Sequence, residues 1–127
     1  MVLRLEWLFY IFLPLNLRHS SMDLVHYKNY SIINCNSLNS FNALIDFLKQ
    51  KQTDCPNIII NMLELDTDEN MVIISTLLPF YLNWEKRNKS FILVSNFRKQ
   101  SVSDLISIKS VEEAIDFFHM EDLTRNI

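Results

Sequence analysis

The densest group of side chains able to do chemistry is Glu64-Leu65-Asp66-Thr67-Asp68-Glu69-Asn70, four carboxylates around one hydroxyl. Asp66-x-Asp68 after an apolar run has the form in which paired carboxylates hold Mg²⁺ beside an aspartate nucleophile. That chemistry needs further carboxylates and a lysine at later strand ends. Asn96, Arg98 and Lys99 supply only part of such a set, so phosphotransfer is not expected. The plainer role is structural: Asp66 or Thr67 caps the helix that follows, and the acids complement its dipole.

The other reactive residues do not assemble into a site. Cys35 and Cys55 belong to no C-x-x-C pair, and His19, His26 and His119 stand apart from one another and from both thiols. Zinc takes about four ligands at short local spacings, so neither a metal nor a cofactor is expected. The thiols read as buried and reduced in a cytoplasmic protein, a disulfide being open only if their two strands are neighbours. The chain also contains no glycine. Phosphate-cradling loops, dinucleotide fingerprints and nucleophile elbows are written with glycine because the backbone there takes φ > 0 or approaches the ligand closely. None can be spelled here. A net charge of −3 with scattered basic residues gives no nucleic-acid footprint. The densest basic group, Lys86-Arg87-Asn88-Lys89, reads as a helix end.

The elements that would position the acidic cluster alternate from residue 28 onward. Tyr30-Ser31-Ile32-Ile33-Asn34-Cys35 mixes β-branched and aromatic residues and predicts a strand. Leu38, Phe41, Leu44, Ile45 and Leu48 then recur at helical spacing, with Ser37 or Ser40 as N-cap. Asn57 to Leu63 is a near-continuous apolar run, the mark of a strand covered on both faces. A second helix is expected from about Asp68 to Glu85, a third strand over Ser90 to Ser95, and a short fourth over Leu105 to Ile108. Ser110-Val111-Glu112-Glu113 is a capping box opening the last helix, whose Val111, Ala114, Ile115 and Phe118 share one face. Strands alternating with helices argue for parallel pairing and helices laid on a sheet.

Two regions stand out within that frame. Residues 1–21 hold an apolar run, Trp7 to Leu17, too short for the ~20 apolar residues a bilayer span needs. It lacks the small-residue cleavage site of a signal peptide. Met22 therefore reads as the start of the domain and 1–21 as upstream sequence, membrane attachment through residues 1–17 being the alternative. The second helix, Met71 to Trp84, is apolar almost all round, whereas a helix on one face of a sheet should show a polar stripe. Its outer side is expected to meet a partner, a second copy included, with Tyr81 and Trp84 as the large contact residues. The composition also carries an AT-rich imprint, with thirteen asparagines and two alanines, which could produce the same excess of apolar residues.

The order of apolar strand, acidic-and-hydroxyl turn, long helix, apolar strand and closing Ser-Val-Glu-Glu-Ala-Ile helix resembles a STAS domain (sulphate transporter and anti-sigma-factor antagonist). The resemblance covers roughly residues 25–127 and rests on 58–67, 91–94 and 110–118. The tail His119-Met120-Glu121-Asp122-Leu123-Thr124-Arg125 is similar to that of short bacterial STAS-like proteins often labelled ribonuclease Z. This chain has neither the length nor the clustered histidines of a two-zinc nuclease, so that label implies at most a helper of such an enzyme. The resemblance implies an α/β fold, a small mixed sheet of about four strands with helices packed on it. It implies regulation through a protein partner, such as a kinase or anti-sigma factor, and no catalysis. It makes Thr67 the candidate phosphoacceptor, since Asp66-Thr67 matches the Asp-Ser start of the family's phosphorylated motif. Glu69 stands where that motif has glycine. The expected binding surface is Asp66, Asp68, Glu69, Asn70, Tyr81 and Trp84.

Overall fold

The computed structural model describes residues 22–65, 70–96, 105 and 107–125. Five strands form one sheet in the order β1-β2-β3-β4-β5. They are β1 (Asp23–His26), β2 (Ser31–Asn34), β3 (Ile58–Asn61), β4 (Phe91–Val94) and β5 (Ser107–Ile108). Three helices accompany them: α1 (Leu38–Gln50), α2 (Asn70–Lys86) and α3 (Val111–Arg125). β1 is antiparallel to β2, and every later pairing is parallel. The sheet is thus mixed, with five strands where about four were expected.

The additional strand is β1. Its Asp-Leu-Val-His carries only two apolar residues, and the connection to β2 has no glycine or proline to signal a hairpin. Its turn closes through Tyr27 N–H donating to the Tyr30 carbonyl at 2.8 Å, with the two tyrosine rings stacked at 5.0 Å.

The central strands bury both faces, which explains their unbroken apolar runs. Register sorts their side chains. Ile33, Ile60 and Leu93 lie in one row and Ile32, Ile59 and Ile92 in the next, so the rows project to opposite faces. The first face packs under α1 and α2, through Phe41, Leu44 and Leu48 of α1 and Ile73, Leu77, Tyr81 and Trp84 of α2. The second packs under α3 through Ala114 and Phe118. Crossovers that step the same way along a sheet with one hand put their helices on one side. The last helix, which follows the final strand, closes the other.

Ser37 and Ser110 both cap their helices, the first of them in a complete capping box. Ser37, in extended backbone at φ −152°, caps α1 with Ser40 as the reciprocal partner of the box. Glu113 N–H donates to Ser110 Oγ at 3.1 Å at the start of α3. α2 ends in a left-handed residue, Asn88 at φ 60°. Asn88 N–H reaches the Glu85 carbonyl at 2.9 Å and Lys89 N–H the Trp84 carbonyl at 3.0 Å. Glycine usually takes this position, and asparagine is the residue that best tolerates it otherwise.

Candidate functional site

Chemistry in an open α/β sheet gathers at the carboxyl ends of the strands. β3 is the middle strand of five, and its carboxyl end leads into the acidic turn. Asp66, Thr67, Asp68 and Glu69 lie outside the described residues, and Asn70 is the first residue of α2. The strand end that launches the turn is built from amides. Asp23, Asn34 and Asn61 sit side by side in register. Asn34 Nδ2 donates to Asp23 Oδ2 at 3.3 Å, Asn61 Nδ2 to Asn34 Oδ1 at 3.0 Å, and Leu63 N–H to Asn61 Oδ1 at 3.1 Å. Leu65 N–H then bonds the Met62 carbonyl at 3.1 Å. A ladder of one carboxylate and two side-chain amides thereby runs from the edge strand to the first bend after β3. Glu64 is exposed and Leu65, the last described residue before the acidic segment, is buried.

α2 has two distinct sides. Ile73, Leu77, Tyr81 and Trp84, at spacings of four, four and three, face the core. The expectation that Tyr81 and Trp84 stand on the outer side is corrected here: Trp84 is 0% exposed and Tyr81 9%. Trp84 Nε1 donates to the Pro56 carbonyl at 2.7 Å, and both rings meet Phe91 edge-on at 5.7 and 6.0 Å. A large ring with one polar handle satisfies both needs by pointing at the sheet and a loop carbonyl. The outer side instead carries Met71, Val72 and Leu82, which are 51–59% exposed.

A second feature lies at the opposite, amino-terminal edge of the parallel strands. Ser90, just before β4, is buried, and its Oγ donates to Glu121 Oε1 at 2.8 Å while accepting from Arg125 Nη2 at 2.8 Å. Glu121 Oε1 and Arg125 Nη2 are themselves 3.8 Å apart, one helical turn along α3. Ser90 N–H donates to Asn57 Oδ1 at 2.8 Å. This clasp ties the end of α3 to the start of β4. Beside it a groove of about 480 Å³ runs between the ends of α2 and α3, lined among others by Tyr81, Phe91, Phe117 and Met120. Arg125 and Lys89 also line it. Arg125 Nη1 is buried with no hydrogen-bond partner among the described residues. A buried donor without an acceptor costs about 1–3 kcal/mol, more when charged. The sequence signals for this site are the i, i+4 Glu121–Arg125 pair and the tail in which they sit. The serine that joins them is 31 residues upstream of Glu121 and carries no local mark.

The thiols sit at opposite edges of the sheet, Cys35 after β2 and Cys55 before β3, and both are buried and free. Desolvation pushes each thiol pKa up. For Cys35, hydrogen bonding with the Ser40 side chain and the Ser37 backbone opposes the rise. For Cys55, Arg87 and Lys89 oppose it and Asp54 adds to it. Such thiols are poor nucleophiles. Among the described residues no three His, Cys, Asp or Glu side chains converge as metal ligands. None of the described helices is long and apolar enough to cross a membrane. No protein-family model matches the chain and no curated protein matches it.

Proposed function

We propose that this chain is a non-catalytic, STAS-like regulatory domain that acts by binding another protein through the outer side of α2 and the acidic turn before it. The observation that carries the reading is the exposure of Met71, Val72 and Leu82 on a helix whose other side is fully engaged with the sheet. Isolated exposed apolar residues are ordinary, but a long helix with apolar residues on both sides is not. The turn leaves the carboxyl end of the middle strand, where α/β folds present binding residues. Asp66, Asp68 and Glu69 would give that surface its negative charge, with the neutral amide of Asn70 beside them. Phosphate on Thr67 would add charge beside them and switch the partner on or off.

Capture of proteins from a native lysate by the wild-type chain and by a Met71→Asp, Val72→Asp, Leu82→Asp variant tests the reading. Proteins retained by the wild type should be lost to the variant, while the two melt within a few degrees of each other. Identical retention by both would end the proposal. Mass spectrometry after co-expression with candidate kinases decides the switch: phosphate at Thr67 supports it, and its absence leaves constitutive binding.

A further inference from the structure

The carboxyl edge of the parallel strands carries exposed apolar side chains where helices begin. α1 and α2 each follow a parallel strand, so both start at this edge. A helix start favours acids and polar caps, yet neither first turn holds an acid. Leu38 of α1 and Met71 and Val72 of α2 stand there instead, 57%, 51% and 59% exposed. β1 runs the opposite way, with Asp23 beside Asn34, so the chain preceding it joins the sheet at the same edge. Met22 and Leu24 pack against the core under α1 and α2, which puts that junction on the face those helices cover.

We infer that the apolar run Trp7 to Leu17 of this same chain lies over the starts of α1 and α2, covers Leu38, Met71 and Val72, and competes there with the protein partner. The inference rests on the reading of α2's outer side as a binding surface and names how access to it is controlled. Residues 1–21 lie outside the described residues; the junction at Met22 and their composition fit them to this seat.

Reach comes first. β1 and β3 are two strand spacings apart, about 10 Å. Residues 18–21 allow the run to begin up to about 18 Å from Met22, so both helix starts are within range. So short a tether holds the run at a local concentration in the millimolar range, against which any external partner must compete. Residues 7–17 hold no charged side chain and are too few for the ~20 that span a bilayer. Burying them on the nearest apolar surface removes both from water. Charge agrees with this placement. Arg18 lies in the tether, and Glu64, Asp66, Asp68 and Glu69 belong to the segment that chain connectivity holds between β3 and α2.

Nuclear magnetic resonance of the full-length chain, with ¹³C-labelled Leu, Met and Val methyls, tests the inference. Nuclear Overhauser contacts are expected from the Phe9 and Phe12 rings to the methyls of Leu38, Met71 and Val72. They should vanish in the full-length Phe9→Asp, Phe12→Asp variant. Met71→Asp, at a half-exposed position outside the core, is the companion variant and should also release the run in a fully folded chain. The Phe9→Asp, Phe12→Asp chain should then retain several-fold more of the lysate proteins than the wild type does. Contacts in the wild type with nothing retained by either chain would sink the partner reading and leave the covered surface standing. Equal retention without contacts would sink the covering and leave the partner reading. Contacts together with equal retention would overturn the competition. Contacts seen only between differently labelled copies would overturn the proposal in favour of a dimer, and contacts absent until anionic vesicles are added would overturn it in favour of a lipid surface. So would a native protein whose mapped amino terminus is Met22.

Discussion

The two faces of the sheet are closed by different means. Under α1 and α2 lies a continuous apolar core that runs from Ile33 and Phe41 through Leu44 and Leu77 to Trp84 and Phe91. Under α3 the fully buried helix side chains are Ala114 and Phe118. α3 is held at its far end by the polar clasp of Ser90, Glu121 and Arg125. Hydrophobic attachment is broad and non-directional, whereas a clasp of three side chains has one geometry and fails when one member is removed. α3 is accordingly the layer whose end can loosen while the rest of the molecule stays folded, and the groove is built against that end.

The largest effect that could break this comparison belongs to the α1–α2 face. Trp84→Ala removes the largest fully buried side chain together with its bond to the Pro56 carbonyl. It should cost about 4–5 kcal/mol and lower the denaturant midpoint of the whole chain in a single transition. Phe118→Ala should cost about 3 kcal/mol. Hydrogen exchange should then show α3 losing protection before α1 and α2 do. Simultaneous loss in all three helices would show that the faces form one cooperative unit and would refute the contrast.

Ser90→Ala sharpens the comparison at the clasp. It leaves Glu121 and Arg125 facing each other at 3.8 Å without the hydroxyl between them, for a loss of about 2 kcal/mol in urea unfolding. The faster amide exchange it causes should be confined to the last turns of α3. The smallest effect concerns the thiols of the α1–α2 face. Burial raises both pKa values, so the thiolate form is less favourable in the folded chain than in the unfolded one. Stability from this source is complete below the ordinary thiol range and declines as pH rises through and above it. Iodoacetamide labelling near neutral pH should be slow in the native chain and fast in urea, and rapid native labelling would contradict the burial.

Much of the architecture could be read from local pattern because the relevant physics is local. The β-branched runs around Ile33, Ile59 and Ile92, the serine caps at Ser37 and Ser110, and the helical spacing of Leu38 to Leu48 each declare an element within a few residues. β1 was illegible for the complementary reason. An edge strand needs few apolar residues, and its pairing partner, β2, is what makes it a strand. The orientation of α2 was illegible as well. A helix apolar on nearly all sides gives no periodic signal of which stripe points inward, so the pattern does not show that Tyr81 and Trp84 face the sheet.

Sequence alone determined that this protein would be a layered α/β domain, that a glycine-dependent phosphate loop could not be spelled in it, and that acidic residues follow the apolar run of its middle strand. Those properties follow from residue types and short spacings, which act before any distant contact forms. Only the tertiary structure decided which side of α2 faces water, that Asp23, Asn34 and Asn61 form one ladder, and that Ser90 meets Glu121 and Arg125 across 31 and 35 residues of chain. Each of these depends on strand register and helix docking, where hydrophobic burial summed over the whole sheet selects one arrangement from several that local preference leaves equal.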